Sequence, residues 1–568
     1  MPRRVKNESV ERSTTSKRQI PSWAPLRSPL FRAIWIASLA SNIGSWMHEV
    51  GASWLMTSLT TDAKMNALVA AAGSLPMFLL SLPAGSLADI VDRRKLIICT
   101  QTWATLVAGI LALLTLLNIT SPWIVILFTF LMALGNVLTG PASQALLPEI
   151  VKRRQLPAAM SLGGIAWNLS RITGPLLAGV IISIAAGVLL VKQTAPGVVF
   201  AFNSVSYLAV VVVYLRWKRP TKDVDLPPEH ILGAIRAGWR YTKHSTELRA
   251  ILVRIFGFML CASIQFSLLA LYARTHLHLN ASGYATLMGS FGVAAVIANL
   301  IFPRVRERFT PNQLLFYSAI ANAFNLCVMA FIPSLVNEHT ALWIVRGSML
   351  LGGLAWPTVM QTCSVTLIRS VPNWVRSRAV GMFTLAFMGG STLGSLVWGE
   401  VAKQMGIPMA FSGAAIGLLL GPIILRRFVI VDPGKANFEP SQHWIEPELS
   451  FEPSPEAGPV LVMVEYNIAS EDSEAFATAM QPLRHIRLRD GALRWHLFQD
   501  MSEPTRWVET MLVESWNEHL RQHARITHAD REIEVVAHSY HQGESEPRIS
   551  HLLAATAIMK ESKADDED

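Results

Sequence analysis

Glu49 stands inside a long apolar stretch, on one helical face with Ser38, Asn42, Ser45 and Ser53. These residues recur at i, i+4, i+7, i+11 and i+15, so a helix aligns them in one polar stripe. A carboxylate well inside an apolar span is costly unless it faces a partner or a wet cavity, and such groups serve ion and proton paths. The stripe therefore predicts a proton or substrate path. His48 lies on the adjacent face and is a candidate member; a hydrogen-bonded structural role is the alternative. A second stripe, Ser161, Gly164, Asn168, Arg171 and Pro175, occupies another apolar stretch. Arg171 has no accessible neutral form, so it needs an anionic or carbonyl partner.

Other chemistries find little support. There is no G-x-x-x-x-G-K-[ST] loop, no zinc spacing and no nucleophile motif, which argues against an ATP-driven pump and predicts no cofactor and no metal. Cys99, Cys261, Cys327 and Cys363 stand singly in apolar stretches and read as packing residues. His519 and His523 could share a metal at i, i+4, but no third ligand accompanies them, and they read as solvent-facing.

The elements that position these residues are membrane spans. Of 568 residues, 51% are hydrophobic and 16% charged, and the mean hydropathy is +0.36. Apolar stretches long enough to cross ~30 Å of hydrocarbon fall at 31–59, 67–87, 96–117, 122–147, 156–186 and 198–215, then at 251–273, 282–302, 313–332, 340–368, 379–401 and 408–425. The net charge of +9 does not signal nucleic acid. Its basic residues cluster in alternate loops, around Arg93, Arg153, Arg216, Arg306, Arg376 and Arg426, which places those loops and both termini in the cytoplasm of a plasma-membrane protein.

Between the second and third spans, residues 85–95 read Gly-Ser-Leu-Ala-Asp-Ile-Val-Asp-Arg-Arg-Lys. Gly85, Asp89, Asp92, Arg93 and Arg94 there resemble the signature loop of the major facilitator superfamily, with Asp92 where that family usually has Gly. The resemblance implies a gating loop whose Asp89 faces the start of the eleventh span near Arg378. Trp167-Asn168-Leu169-Ser170-Arg171-Ile172-Thr173-Gly174-Pro175 and residues 140–149 are similar to the branch holding the enterobactin exporter and the transmembrane secretion effectors. Gly174, Pro175 and Gly179 resemble, in part, the antiporter motif of helix 5. The family implies a twelve-helix fold of two six-helix bundles, substrate export, and neighbouring spans 1 and 5, so that Glu49 and Arg171 would couple. The halves also repeat faintly: Gly135, Pro141 and Gln144 correspond to Gly353, Pro357 and Gln361.

The expected organisation is a disordered tail (1–28), one bundle (29–216), a linker with an amphipathic helix at 231–241 (217–248), the second bundle (249–428), a Pro/Glu-rich linker (429–458), a soluble domain (459–555) and an acidic tail (556–568). In the soluble domain a β-α-β-β-α-β order predicts an α+β, ferredoxin-like sandwich. It resembles antibiotic-biosynthesis monooxygenase-like domains, which implies either catalysis on the cargo or a sensing or homodimerising module. The expected partners are the bilayer, a small-molecule substrate and protons.

Overall fold

The computed structural model describes residues 21, 23–189, 191–217, 231–432, 434, 436–441, 443–444, 451, 453–543 and 545–555, with side chains except at 82, 84–90, 141, 145, 153, 192, 231–235 and 237. Residues 1–20 and 556–568, expected as tails, lie outside this set. Ala24–Arg27 already form a helical turn with Ala24 and Pro25 buried, so ordered chain begins before the expected position 29.

The first half comprises α1 (Pro29–Leu59), α2 (Ala63–Ile90), α3 (Arg93–Leu116), α4 (Pro122–Ile150), α5 (Leu156–Val188) and α6 (Pro196–Arg216). After α7 (Ile231–His244) come α8 (Thr246–Ala262), α9 (Ile264–Thr275), α10 (Ala281–Arg308), α11 (Pro311–Leu335), α12 (Glu338–Ser370), α13 (Arg376–Met405) and α14 (Ile407–Ile424). Local chemistry sets many of the starts. Ser28, Asp92, Ser121, Asn280, Thr310 and Asn337 each accept a hydrogen bond from a first-turn N–H, satisfying donors that the helix itself leaves free.

Among the described residues, ten helices are long and apolar enough to cross a membrane, with α8 and α9 counted as one rod. The sequence pattern predicts twelve. The two that differ are α1 and α12, of 31 and 33 residues. Their polar residues, Asn42, His48 and Glu49 in one and Glu338, Arg346 and Arg369 in the other, lower the hydropathy without shortening the helix.

The halves meet chiefly along α2 against α13 and α5 against α10. Counting spans, these are second on eleventh and fifth on eighth. Exchanging the halves maps one contact onto the other, as a repeated six-span unit requires. Two glycines of α5 permit close approach, Gly174 to α1 of the same half and Gly179 to α10 of the other. A Cβ at Gly174 would collide with the Trp46 side chain and crowd Ile43 O. A Cβ at Gly179 would collide with Ala285 of α10.

The soluble unit holds β1 (Val460–Asn467), α15 (Ser473–Asp490), β2 (Arg494–Gln499), β3 (Arg506–Val513), α16 (Trp516–Arg525), α17 (His528–His538) and β4 (Arg548–Leu553). The sheet order is β2-β3-β1-β4, with every adjacent pair antiparallel. The helix α17 is absent from the sequence-based order. Its core joins Val460, Val462, Val464, Phe476, Met480, Leu483, Trp495 and Met511. The unit docks on α7: Arg240 pairs with Glu518 at 2.7 Å, the Arg489 guanidinium lies 5.3 Å from the Tyr241 ring, and Arg525 lies 4.6 Å from the Trp374 ring. α7 therefore exposes Trp239 on one side and binds the soluble unit on the other.

Candidate functional site

α1 presents Asn42, Trp46, Glu49 and Ser53 along one face, toward the second half. Trp54 stacks on Tyr284 of α10 with ring centres 6.0 Å apart. Glu49 keeps accessible surface in mid-helix, while Arg171 and Tyr284 lie close enough to share its field. Protein surrounds Glu49 on all sides, yet its carboxylate side chain keeps accessible surface beside α5 of the first half and α10 of the second.

Arg171 is held by aromatic faces from both halves. Its guanidinium carbon lies 4.6 Å from the Trp356 ring, 5.5 Å from Phe291 and 5.8 Å from Trp46. Cation–π contacts stabilise a desolvated guanidinium by up to ~2 kcal/mol each. Glu49 is thus an electrostatic neighbour of Arg171, not its direct hydrogen-bonded partner. Pro175 supplies no N–H to the Arg171 carbonyl four residues back, which leaves that oxygen facing Gly292 of α10.

One turn below, Asn168 Nδ2 donates to Gly164 O at 2.9 Å, and Asn299 Nδ2 donates to Asn168 Oδ1 at 3.0 Å. Gln361 Nε2 donates in turn to Asn299 Oδ1. This amide chain crosses from α5 through α10 to α12. Asn299 escapes the sequence reading; an Asn within an apolar span was the available signal. His48 belongs elsewhere. It is buried against Phe200 of α6, ring centres 4.6 Å apart, and neither ring nitrogen has a hydrogen-bond partner among the described residues. It joins neither the path nor a structural hydrogen bond, because one residue of helix rotation turns it from the Glu49 face.

The expected loop at 85–95 is largely helix. Gly85 and Asp89 fall in the last turns of α2, and their side chains lie outside the described residues. Only Val91 and Asp92 separate α2 from α3. Asp92 caps α3 by accepting from Lys95 N at 2.9 Å. Arg93 pairs with Glu149 at 3.4 Å, and Arg94 donates to Tyr214 O and Leu215 O at 2.9 and 3.0 Å. Arg93 and Arg94 thereby tie α3 to α4 and α6.

At the opposite end, polar contacts cross between halves. Lys64 pairs with Glu400 at 2.8 Å and Lys403 with Asp62 at 3.4 Å. Arg274 donates to Ser58 at 2.7 Å and to Thr57 at 3.3 Å. These contacts join the two halves at this end of the bundle.

The profile of a family described as "Transmembrane secretion effector" matches residues 20–558. The chain belongs to that family of the major facilitator superfamily. The chain is 23% identical over 407 residues to the staphyloferrin A transporter of Staphylococcus aureus, covering 71% of this chain and 96% of that one. It is 24% identical over 401 residues to the multidrug efflux pump Tap of Mycolicibacterium fortuitum, covering 69% and 94%. Among solved structures it resembles the nucleoside transporter NupG (TM-score 0.55, 15% identity, 71% and 99% coverage). It also resembles a bacterial homologue of ferroportin (0.52, 17%, 70% and 98%). Its main body is a multi-pass membrane transporter of the major facilitator type.

The family match runs through the soluble unit, whose interior is highly charged. Arg487 donates to Glu509 Oε1 at 3.2 Å and to Glu534 Oε1 at 2.7 Å. Trp495 Nε1 and Tyr466 OH also donate to Glu509, at 2.8 and 2.9 Å. Burial works to raise the Glu534 carboxyl, but Arg487 and His443 hold it well below the usual carboxylate range. His519 and His523 are not solvent-facing. His519 is buried beside Trp516 and His551, and its Nε2 lies 3.3 Å from Nε2 of His523. Burial, then the neighbouring histidines, lower His519 to about 3; burial, then His551, lower His523 to about 4. The pair faces inward because His551 of β4 meets His519 and Trp444 meets His523, an arrangement invisible to local periodicity. Among the described residues no group of three His, Cys, Asp or Glu side chains is arranged to hold a metal ion.

Proposed function

We propose that this chain is a proton-coupled exporter of a small amphipathic molecule, working by alternating access from a plasma membrane with both termini cytoplasmic. The observation that carries this reading is the juxtaposition of accessible Glu49 with Arg171 in an aromatic cage drawn from both halves. A carboxylate supplies the proton site. Trp46, Phe291, Trp356 and Trp54 supply apolar and π surface for an amphipathic cargo. Protonation of Glu49 would leave Arg171 without its nearby anion and ready for an acceptor group on the substrate. Export, rather than uptake, is favoured by membership in the secretion effector family and by likeness to proteins named as efflux pumps.

The test is reconstitution. Proteoliposomes holding the chain under an imposed pH gradient should show substrate-dependent proton flux with some member of a siderophore and drug panel. Absence of flux across the panel, in vesicles that hold correctly inserted protein, would refute the reading.

The soluble unit reads as a ferredoxin-like binding or dimerising module rather than an enzyme. The strand order β2-β3-β1-β4 supports the topology. The sheet face away from the helices sets Leu461, Leu512, Val508, Phe498 and Leu552 among Glu465, Arg494, His496 and Arg548, a mixed apolar and charged surface that a second copy would cover. Sedimentation in detergent should give a dimer that Phe498→Glu converts to monomer; a monomeric parent would remove this part of the reading.

A further inference from the structure

The segment after α14 is strapped to both domains. Asp432 pairs with Arg306 at 3.4 Å and Arg369 at 3.3 Å. Ala529 N donates to Asn437 O, His528 N to Glu439 O and Ser441 N to Ile526 O, at 3.0 to 3.1 Å. This run delivers two side chains onto the helices of the soluble unit. His443 Nε2 lies 2.7 Å from Glu534 Oε2, and Trp444 Nε1 donates to the same oxygen at 3.2 Å. The indole covers Arg487, whose guanidinium carbon is 4.7 Å from the ring, and meets His523 edge-on at 4.9 Å.

Beneath the indole is a cavity of about 10 Å³, bounded by Trp444, Ile486, Arg487, Asp490, Gln522 and Ile526. Two buried polar side chains line it, Arg487 bonded to Glu509 and Glu534 through its other nitrogens and Gln522 beside His519. Arg487 is 4% exposed and Gln522 2% exposed. Arg487 Nη1 and Gln522 Oε1 have no partner at hydrogen-bonding geometry among the described residues. Buried polar atoms of this kind call for a hydrogen-bonding group to meet them.

We propose that this groove is a binding site for a hydroxylated planar aromatic ring, held closed by the chain's own Trp444. The indole demonstrates that a flat ring fits between the Arg487 face and the His523 edge. Its single N–H is spent on Glu534, so it leaves both cavity atoms unmet. A ring hydroxyl accepts and donates at once, which suits a donor at Arg487 and an acceptor at Gln522. A neutral hydroxyl suits the site better than a carboxylate, because Glu509 and Glu534 already outnumber Arg487 in charge. A ligand that displaces Trp444 would also loosen the strap that Asp432 anchors to α10 and α12, giving the soluble unit a way to report to the transporter. The proposal does not depend on what the bundle transports or in which direction.

The test uses the full chain in nanodiscs, with 5-hydroxyindole and 2-naphthol as probes and indole and naphthalene as their hydroxyl-free controls, read by equilibrium dialysis. Trp444→Ala should bind each hydroxylated probe at least tenfold more tightly than the parent, and at least tenfold more tightly than its control. Trp444→Phe, which keeps the ring but loses the bond to Glu534, should fall between them. Adding Gln522→Leu to Trp444→Ala should remove the preference for the hydroxyl. If Trp444→Ala and Trp444→Phe both bind no more tightly than the parent, the proposal is wrong. Equal binding of probes and controls, or equal binding by the double variant, would reduce the signal to partitioning and overturn it as well.

Discussion

The guanidinium of Arg171 on α5 lies 4.6 Å from the ring of Trp356 on α12, so a charge from the first half rests on an aromatic face of the second. Movement of the halves must break or remake this contact. Glu49 shares the same compartment without forming a direct ion pair, which leaves Arg171 free to meet a third group.

That geometry predicts energetic coupling. Glu49→Gln and Arg171→Gln should each lower transport at least tenfold in correctly inserted protein. In a double-mutant cycle their effects on thermal stability should depart from additivity by about 1 kcal/mol. Strict additivity in transport and stability together would mean that the two residues act apart.

Close helix contact at Gly179 makes a steric prediction. Gly179→Leu should wedge α5 from α10 and destabilise by ~1–3 kcal/mol, seen as a fall in Tm and loss of transport. Gly163→Ala is the control, since a Cβ there meets nothing within 4 Å. Equal effects of the two substitutions would deny Gly179 its role in the contact between halves.

The clamp at one end predicts a charge-swap rescue. Lys64 and Glu400 are roughly half exposed, so solvent screens their pair and it acts as a weak bias on the closure of this end. Lys64→Glu should speed thiol labelling of a cysteine placed at Ser53, and adding Glu400→Lys should slow it again. A labelling rate indifferent to both changes would assign the pair to surface decoration.

The buried histidines predict acid sensitivity of the soluble unit. His519 and His523 titrate lower in the fold, at about 3 and about 4, than the ~6.5 of an unfolded chain. Between these values the unfolded state binds more protons, so stability is full above pH ~6.5 and falls as the pH drops toward 4. His551, Arg487 and His443 face the same groups and reinforce the direction. Discounting for partial exposure, the loss by pH 5 is roughly 2 kcal/mol. Hydrogen exchange of α16 and β4 in the full chain should accelerate from pH 7 to 5 after correction for intrinsic rates. Exchange in His519→Gln/His523→Gln should lose most of that dependence; an unchanged profile would reject the assignment.

Much of the fold was legible because membrane spans and small α+β units write themselves locally. Runs of apolar residues, helix caps such as Ser121-Pro122 and Thr310-Pro311, and strand alternation in 460–466 depend only on neighbours in sequence. The polar faces of α1 and α5 were equally legible, since helical periodicity alone puts Asn42 with Glu49 and Asn168 with Arg171. The breakdown of 85–95 was less so: its charged residues resemble a mobile loop, yet Asp92 caps α3 while Arg93 and Arg94 find partners on α4 and α6.

Sequence by itself therefore determined the spans, the two-half organisation, the polar stripes and the soluble appendage. Tertiary structure decided what each polar group meets. Rings that cage Arg171 come from α1, α10 and α12, at positions 46, 291 and 356, and Asn299 completes an amide chain that no local window contains. Trp444 covers a buried arginine 43 positions further along, and His519 turns inward because His551 of β4 lies against it. Local sequence encodes the periodicity of an element, whereas the partner of a buried charge is set by which elements pack together, and that depends on the whole chain.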